Sequence, residues 1–246
     1  MKILVCISKA PDTTTKITFT DNNTKFNKDK VTYIVNPYDE WYALVRALEI
    51  KEANGGSVTT ITVGTNEDDA IIRKALAIGA DDAVRVNAEA DDAYFVANQI
   101  AEYAKQNGFD LVLAGKETID YNGSEVAPMI AEILDVPSVT QVSKLDVADG
   151  KATAERDIPG GVEIVEFSLP AVISAAKGLA EQRIPNMRGI MQARSKALNV
   201  IEPFNNDKLT EVVEYSLPEA KGACTYFEAD QMDELVNALH NEAKVI

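Results

Sequence analysis

Apolar residues recur along the chain in two rhythms. In the first 137 residues, short and largely apolar stretches at Ile3 to Ile7, Val58 to Val63, Ala83 to Val86 and Leu111 to Leu113 read as strands covered on both faces. Between and after them, apolar residues return at helical spacing. Trp41, Leu44, Val45 and Leu48 stand at i, i+3, i+4 and i+7, with an end near Gly55. Ile71, Ala75 and Ile78 form the face of a helix that Gly79 ends. Ala93, Val96, Ala97, Ile100, Ala101 and Ala104 make the third helix, and Val126, Met129, Ile130, Ile133 and Leu134 the fourth. The order β–α–β–α–β–α–β–α predicts an α/β fold with a mainly parallel, doubly wound sheet and helices on both faces. Lys16 to Lys30 is polar and reads as a hairpin or excursion, followed by a short strand at Thr32 to Val35.

Beyond Pro137 the spacing changes. Val139 to Val147, Lys151 to Ile158, Val162 to Phe167 and Ala171 to Ser174 read as strands joined by Asp149-Gly150 and Pro159-Gly160-Gly161 turns. This predicts an antiparallel extension, either continuing the sheet or forming a small second one. A division follows, with an α/β domain over residues 1–200 and an arm with a terminal helix over 201–246. Pro203 and Pro218 mark the arm, few packing cues tie Glu202 to Tyr226 to the sheet, and Met232, Leu235, Val236 and Leu239 line one side of the final helix. An arm of this kind suits contact with another chain.

The stretch with the most chemistry is Asp110 to Pro128 (DLVLAGKETIDYNGSEVAP). A strand, a polar loop released by Gly115 and a helix start follow one another there, which is where open α/β sheets bind ligands. Asn122 or Ser124 is the candidate N-cap, and Gly123 lets the backbone approach a guest. A helix N-terminus favours an anion such as phosphate. Because Glu117, Asp120 and Glu125 would repel it, the phosphate falls to backbone amides and Lys116, and a ribose hydroxyl or amino group to a carboxylate. The alternative is an ordinary solvated loop, since neither GxGxxG nor a P-loop is present. At Asn36-Pro37-Tyr38-Asp39, Pro37 keeps Asn36 out of the α region and Asp39 can cap the first helix. Tyr38 either faces a ligand or packs as a staple.

Composition narrows the partners. A formal charge of −15 argues against nucleic acid and against anionic membrane surfaces. No apolar run reaches membrane-span length and MKILVCIS lacks a signal-peptide layout, so an intracellular protein is expected. Two separated cysteines, Cys6 and Cys224, and the single His240 give no disulfide framework, zinc set or Cys–His nucleophile. Charge inverts locally in Lys177 to Lys196, where Lys177, Arg183, Arg188, Arg194 and Lys196 face only Glu181. With Ile184, Met187, Ile190 and Met191 interleaved, the segment is either a partner surface or a solvated face over buried methionines.

From Met1 to at least Val200 the sequence resembles the small (beta) subunit of electron transfer flavoprotein. The likeness is carried by the Asn36-Pro37 turn, IRKALAIGAD at Ile71 to Asp81, DLVLAGKETID at Asp110 to Asp120, and ERDIPGGVEIVEFSLPAVISA at Glu155 to Ala175. The last matches the family signature through Arg156, Asp157, Gly160-Gly161, Glu163 and Leu169-Pro170-Ala171-Val172-Ile173, with Pro159 where members usually carry an acidic residue. The resemblance implies an adenine-nucleotide-binding, Rossmann-like fold. It also implies a heterodimer with an alpha subunit that holds most of the FAD, and an AMP of structural role in this chain. By position, the AMP contacts fall on Cys6, Asn36, Pro37, Tyr38, Asp39, Val63, Gly115, Lys116, Glu117, Thr118, Ile119, Asp120, Tyr121, Asn122, Gly123, Ser124, Glu125 and Val126. Members commonly show Gln at the place of Glu125 and Gly at that of Ala127. In a bifurcating branch the pocket holds a second FAD, and Pro11-Asp12-Thr13 is reminiscent of that branch.

The family's partner-recognition loop corresponds to about Ala175 to Ala197, with its apolar anchor on Met187 and with Arg183, Arg188, Ile190 and Met191 around it. Asp157 matches an acidic residue that influences docking, and Tyr38 an aromatic near the partner-bound FAD. The resemblance thus implies an electron carrier rather than an enzyme. Its partners would be the alpha subunit, acyl-CoA or other flavin dehydrogenases and a quinone oxidoreductase. Its place would be the cytoplasm of a bacterium or the mitochondrial matrix of a eukaryote. A stand-alone nucleotide-binding protein of the same layout is the alternative.

Overall fold

The structure is a computed structural model that describes residues 1–37 and 39–246. Strand β1 (Lys2–Cys6) is followed by β2 (Lys9–Pro11), the small hairpin β3 (Phe19–Thr20) and β4 (Lys25–Phe26), and β5 (Tyr33–Val35). Strands β2 and β5 pair antiparallel, so the polar excursion returns to where it left. Helix α1 (Asp39–Asn54), β6 (Ser57–Gly64), α2 (Asp69–Ile78), β7 (Asp82–Asn87), α3 (Ala93–Asn107), β8 (Leu111–Gly115) and α4 (Val126–Leu134) then alternate as the apolar spacing predicts. Helix α2 stops because Gly79, at φ 155°, turns the chain out of helical geometry while its N–H still reaches Ala75. Helix α3 starts on Asp92, whose carboxylate accepts the Phe95 N–H at 2.6 Å.

After α4 come β9 (Ser138–Ala148), β10 (Lys151–Ile158), β11 (Gly161–Ser168) and β12 (Ala171–Ala175). The antiparallel extension continues the main sheet rather than forming a second one. Among the described residues nine strands make that sheet, in the order β11-β10-β9-β12-β8-β1-β6-β7 and finally β13 (Leu198–Ile201). Strand β12 lies between β8 and β9 and is parallel to both. Strand β9 carries an irregularity near Gln141, at φ 60°, whose N–H bonds the Ser174 hydroxyl. Apolar spacing did not reveal β13, which pairs in parallel with the outer side of β7.

Side chains alternate along β1. Ile3 and Val5 face a core shared with α1 and α2, and Leu4 and Cys6 face a second core shared with α3 and α4. Two buried faces explain why the strands read as apolar without clear alternation. From β1 the chain builds β6 and β7 to one side and then returns through α3 to place β8 on the other. The strand order therefore reverses between β1 and β8, and the carboxyl ends of those strands open the crevice in which this architecture binds ligands.

Between β12 and β13 the chain passes over the outer side of α1 and α2. That crossing carries the short helix α5 (Met187–Ala193). After Ile201 the arm leaves the sheet and ends in α6 (Met232–Asn237) with a further helical turn over Ala238–Glu242.

Candidate functional site: a strand-end cleft and an outer helix

The cleft is built by two loops pinned to each other. Asn36, fully buried between β5 and α1, donates its side-chain amide to the Glu117 carbonyl at 2.8 Å and accepts the Ile119 N–H at 3.1 Å. One side chain thus fixes both ends of the turn that follows β8. Asp39, the first residue of α1, accepts the Glu117 N–H at 3.4 Å, and the Lys116 N–H bonds the Ala175 carbonyl of β12. Gly115 lets these parts meet. A Cβ there would lie 2.8 Å from Glu40 Cγ and 3.0 Å from the Glu40 nitrogen. Glu40 itself is buried, and its carboxyl oxygens bond the Ser8 N–H at 2.7 Å and the Ser8 hydroxyl at 2.6 Å. Burial lifts that carboxyl from an ordinary 4.5 to about 8, with Asp120 and Asp39 adding to the rise.

The resulting hollow measures about 320 Å³ and is lined by Pro37, Asp39, Lys116, Glu117, Ile119, Asn122 and Lys177. Lys116 pairs with Glu117 at 2.8 Å, and Glu117 also accepts the Ser124 hydroxyl at 3.2 Å. The sequence offers Asn122 or Ser124 as the N-cap of α4, and neither serves. Both take left-handed backbone, at φ 51° and 56°, and both side chains bond Glu117 instead of capping the helix. Glu125 stands at the cap position and makes no side-chain cap bond. The first turn of α4 therefore lacks the side-chain acceptor that α3 receives from Asp92 and α5 from Asn186.

Of the residues assigned to AMP by resemblance, Pro37, Asp39, Lys116, Glu117, Ile119 and Asn122 line this cleft and Asn36 pins its two loops together, whereas Tyr38 lies outside the described residues. Cys6 and Val63 sit at the ends of neighbouring strands, buried in the core beneath α3 and α4. Thr118 bonds back to Asn122, Asp120 to Tyr121, and the Tyr121 hydroxyl to that of Tyr215 in the arm.

The basic segment is a second surface. Gly189 and Ala193 face inward, and a Cβ on Gly189 would lie 2.4 Å from the Ala77 carbonyl oxygen of α2. Met187 and Met191 face outward and are 75% and 69% exposed, so they are surface rather than core residues. The local charge is less free than the sequence suggests. Arg183 forms a two-pronged pair with Glu52, and Lys196 donates to the Leu76 and Ala80 carbonyls at the end of α2. Arg188 and Arg194 form no ion pair among the described residues, and Ile190 is partly exposed beside them. Asp157 lies on a different element, the exposed end of β10.

The first half of the arm is tied to α3 and to the β3–β4 hairpin. Gln99 on α3, fully buried, brackets Phe204 with bonds of 2.9 Å to its carbonyl and 2.7 Å from its N–H. Asp92 accepts the Leu209 and Thr210 N–H groups and the Thr210 hydroxyl. Tyr215 stacks on Phe19 and bonds the Asn23 carbonyl. Neither tie carries a local signal in the sequence: Asp92 reads as one more acidic residue before a helix, and a buried glutamine on an alanine-rich helix gives no sign of its partner.

A doubly wound α/β chain with a polar cleft at its switch point has a Rossmann-like fold. A family model described as the electron transfer flavoprotein domain matches residues 24–204. The chain is 38% identical to electron transfer flavoprotein subunit beta of Bacillus subtilis (strain 168), with all of both chains covered. It is 37% identical to the Syntrophomonas wolfei subunit beta over 91% of this chain and 88% of that one. It is 33% identical to the mitochondrial subunit beta of Oryza sativa subsp. indica, again over the full length of both. The chain belongs to the electron transfer flavoprotein family, and its relatives are the beta subunits. No helix among the described residues is long and apolar enough to cross a membrane.

Proposed function

We propose that this chain is the small subunit of a heterodimeric electron transfer flavoprotein. It pairs with an alpha subunit, receives electrons from acyl-CoA or other flavin dehydrogenases, and passes them to a quinone oxidoreductase or another acceptor. Similarity to beta subunits over the whole chain is the observation that carries this reading. FAD, held mainly by the alpha subunit, supplies the redox chemistry when bound. This chain contributes binding and orientation, in the cytoplasm of a bacterium or the matrix of a mitochondrion.

The strand-end cleft suits an AMP. Its volume of about 320 Å³ lies at the small end of the usual range for such sites. The uncapped start of α4 offers N–H groups to a phosphate, and Lys116 and Lys177 add positive charge. Asp39 and Glu117 would accept from ribose hydroxyls or the adenine amino group. The outward face of α5, with Met187 and Met191 beside Arg188 and Arg194, suits a dehydrogenase. A flexible thioether fills varied pockets, and positive charge on an acidic protein steers encounter. The arm and α6 expose Val213, Leu217, Tyr226 and Val236, apolar surface that the alpha subunit would cover.

Co-purification with the alpha subunit, an absorbance spectrum and nucleotide release by denaturation test this together. The expected result is a yellow heterodimer with one FAD and one AMP. Two flavins and no AMP would assign the bifurcating type instead. Nucleotide on a chain that ignores the alpha subunit would assign a stand-alone binding protein.

A further inference from the structure

The docking face on α5 is carried by a connection rather than by a long helix. What holds it is therefore a separate question from what it touches. Its C-terminal end is fixed from α2, by Arg73 donating to the Ala193 and Lys196 carbonyls and by the close seat of Gly189 on Ala77. Its N-terminal approach is fixed from α1. The Trp41 indole N–H donates to the Arg183 carbonyl at 3.2 Å, and the Arg183 guanidinium spans both Glu52 oxygens at 2.6 and 3.1 Å. Trp41 is nearly buried, with the Lys74 ammonium 5.3 Å from its ring centre, so its own position is set. Between the two fixings stand Ile184, Met187 and Met191, each about 70% exposed or more.

We propose that Trp41 and Glu52 are positioning residues for partner docking: they hold Arg183 on α1 so that Ile184, Met187 and Met191 form a preorganised apolar face. One fixing is a part-buried indole N–H on a main-chain carbonyl, and the other is a planar two-bond pair that sets direction as well as distance. An exposed ion pair adds little to global stability, so its use here is geometric. A face held in place loses less conformational freedom on docking than a free loop does. The proposal rests on the reading of α5 as the dehydrogenase surface.

The test uses the heterodimer carrying Trp41→Phe, Glu52→Gln, and the charge exchange Glu52→Arg with Arg183→Glu. Trypsin cleavage at Arg188 and Arg194 reports the order of the segment without any partner. Cleavage should quicken about tenfold in the two single variants and return toward the wild-type rate in the exchange. With a medium-chain acyl-CoA dehydrogenase and octanoyl-CoA as electron source, the KM for the heterodimer should rise about three- to tenfold. The kcat and FAD content should hold, and the exchange should restore KM. Unchanged cleavage overturns the proposal, and so does faster cleavage with an unchanged KM. If the wild-type heterodimer is not reduced by the dehydrogenase, the donor reading fails. The cleavage rates then still decide whether Trp41 and Glu52 order the segment.

Discussion

Glu40, on α1, carries a buried carboxyl group bonded to Ser8 just beyond the end of β1. Its pKa is near 8 in the folded chain against an ordinary 4.5, so the folded state binds the extra proton between those values. Its contribution to stability is full below about pH 4.5 and is lost as pH rises through 8. Ser8 hydrogen bonds oppose the shift, and Asp39 and Asp120 reinforce it. In Glu40→Gln the amide oxygen accepts the Ser8 N–H and the amide NH2 donates to the Ser8 hydroxyl, with no charge to bury, so the variant should gain on the wild type by on the order of a few kcal/mol between pH 5 and pH 9. Denaturant titrations of both proteins across that range measure the difference, and parallel curves would refute it. Met187 belongs to the same scale. Because it is 75% exposed, Met187→Ala should leave the melting temperature unchanged, whereas coupling to the dehydrogenase should weaken by about 1–3 kcal/mol. A large drop in melting temperature with normal coupling would return Met187 to the core.

At the scale of elements, two glycines in one loop separate what a sequence suggests from what packing demands. Gly123 looks like the site of close approach because it sits before a helix start. A Cβ there would meet only the movable end of Glu125, at 2.8 Å from its Oε1. Gly115 is the confined one, since a Cβ would press on Glu40 Cγ, the Glu40 backbone nitrogen and Asp39 Cβ together. Gly115→Ala should push α1 away from β8, cost about 1–3 kcal/mol and empty the cleft of nucleotide. Gly123→Ala should be close to neutral in stability, so that any loss of nucleotide there reports approach to the guest rather than misfolding. Thermal melts and nucleotide content of the two variants, side by side, check the contrast. The α4 start follows the same logic: Asn122 and Ser124 are good cap residues by type, yet left-handed backbone at both positions removes them from the helix.

For the whole molecule, the arm is the decisive element. It is neither free nor part of the sheet, because α3 holds it through Gln99 and Asp92 and the excursion hairpin holds it through Tyr215. Such tethering fixes the point from which the exposed residues beyond Tyr215 set out, which lowers the entropy cost of wrapping a partner. Gln99→Ala removes two bonds and leaves the Phe204 backbone groups without their partner, a loss of about 1–3 kcal/mol. Heterodimer yield at limiting alpha subunit should fall while the nucleotide content of assembled protein holds. Equal yields in a titration monitored by size-exclusion chromatography would show that the tether is irrelevant to assembly.

Local spacing alone determined the alternation of strands and helices through Leu134, the turns at Asp149-Gly150 and Pro159-Gly160-Gly161, and the loop after β8 as the place of interest. These are short-range properties: periodicity, glycine conformations and the direction of a parallel sheet. Residue motifs such as ERDIPGGVEIVEFSLPAVISA carried the family. Tertiary structure decided the rest, because each remaining feature joins residues far apart in the chain. Asn36 meets Glu117, Trp41 meets Arg183, and Gln99 meets Phe204 across 81, 142 and 105 positions. Strand β13 exists because β7 has an open side for Leu198 to Ile201 to pair with. The charge of Lys177 to Lys196 is real in composition, but Glu52 and the carbonyl ends of α2 absorb part of it. A hydrogen-bond donor shows in a sequence as a residue type; its acceptor is fixed only when the fold brings the two together.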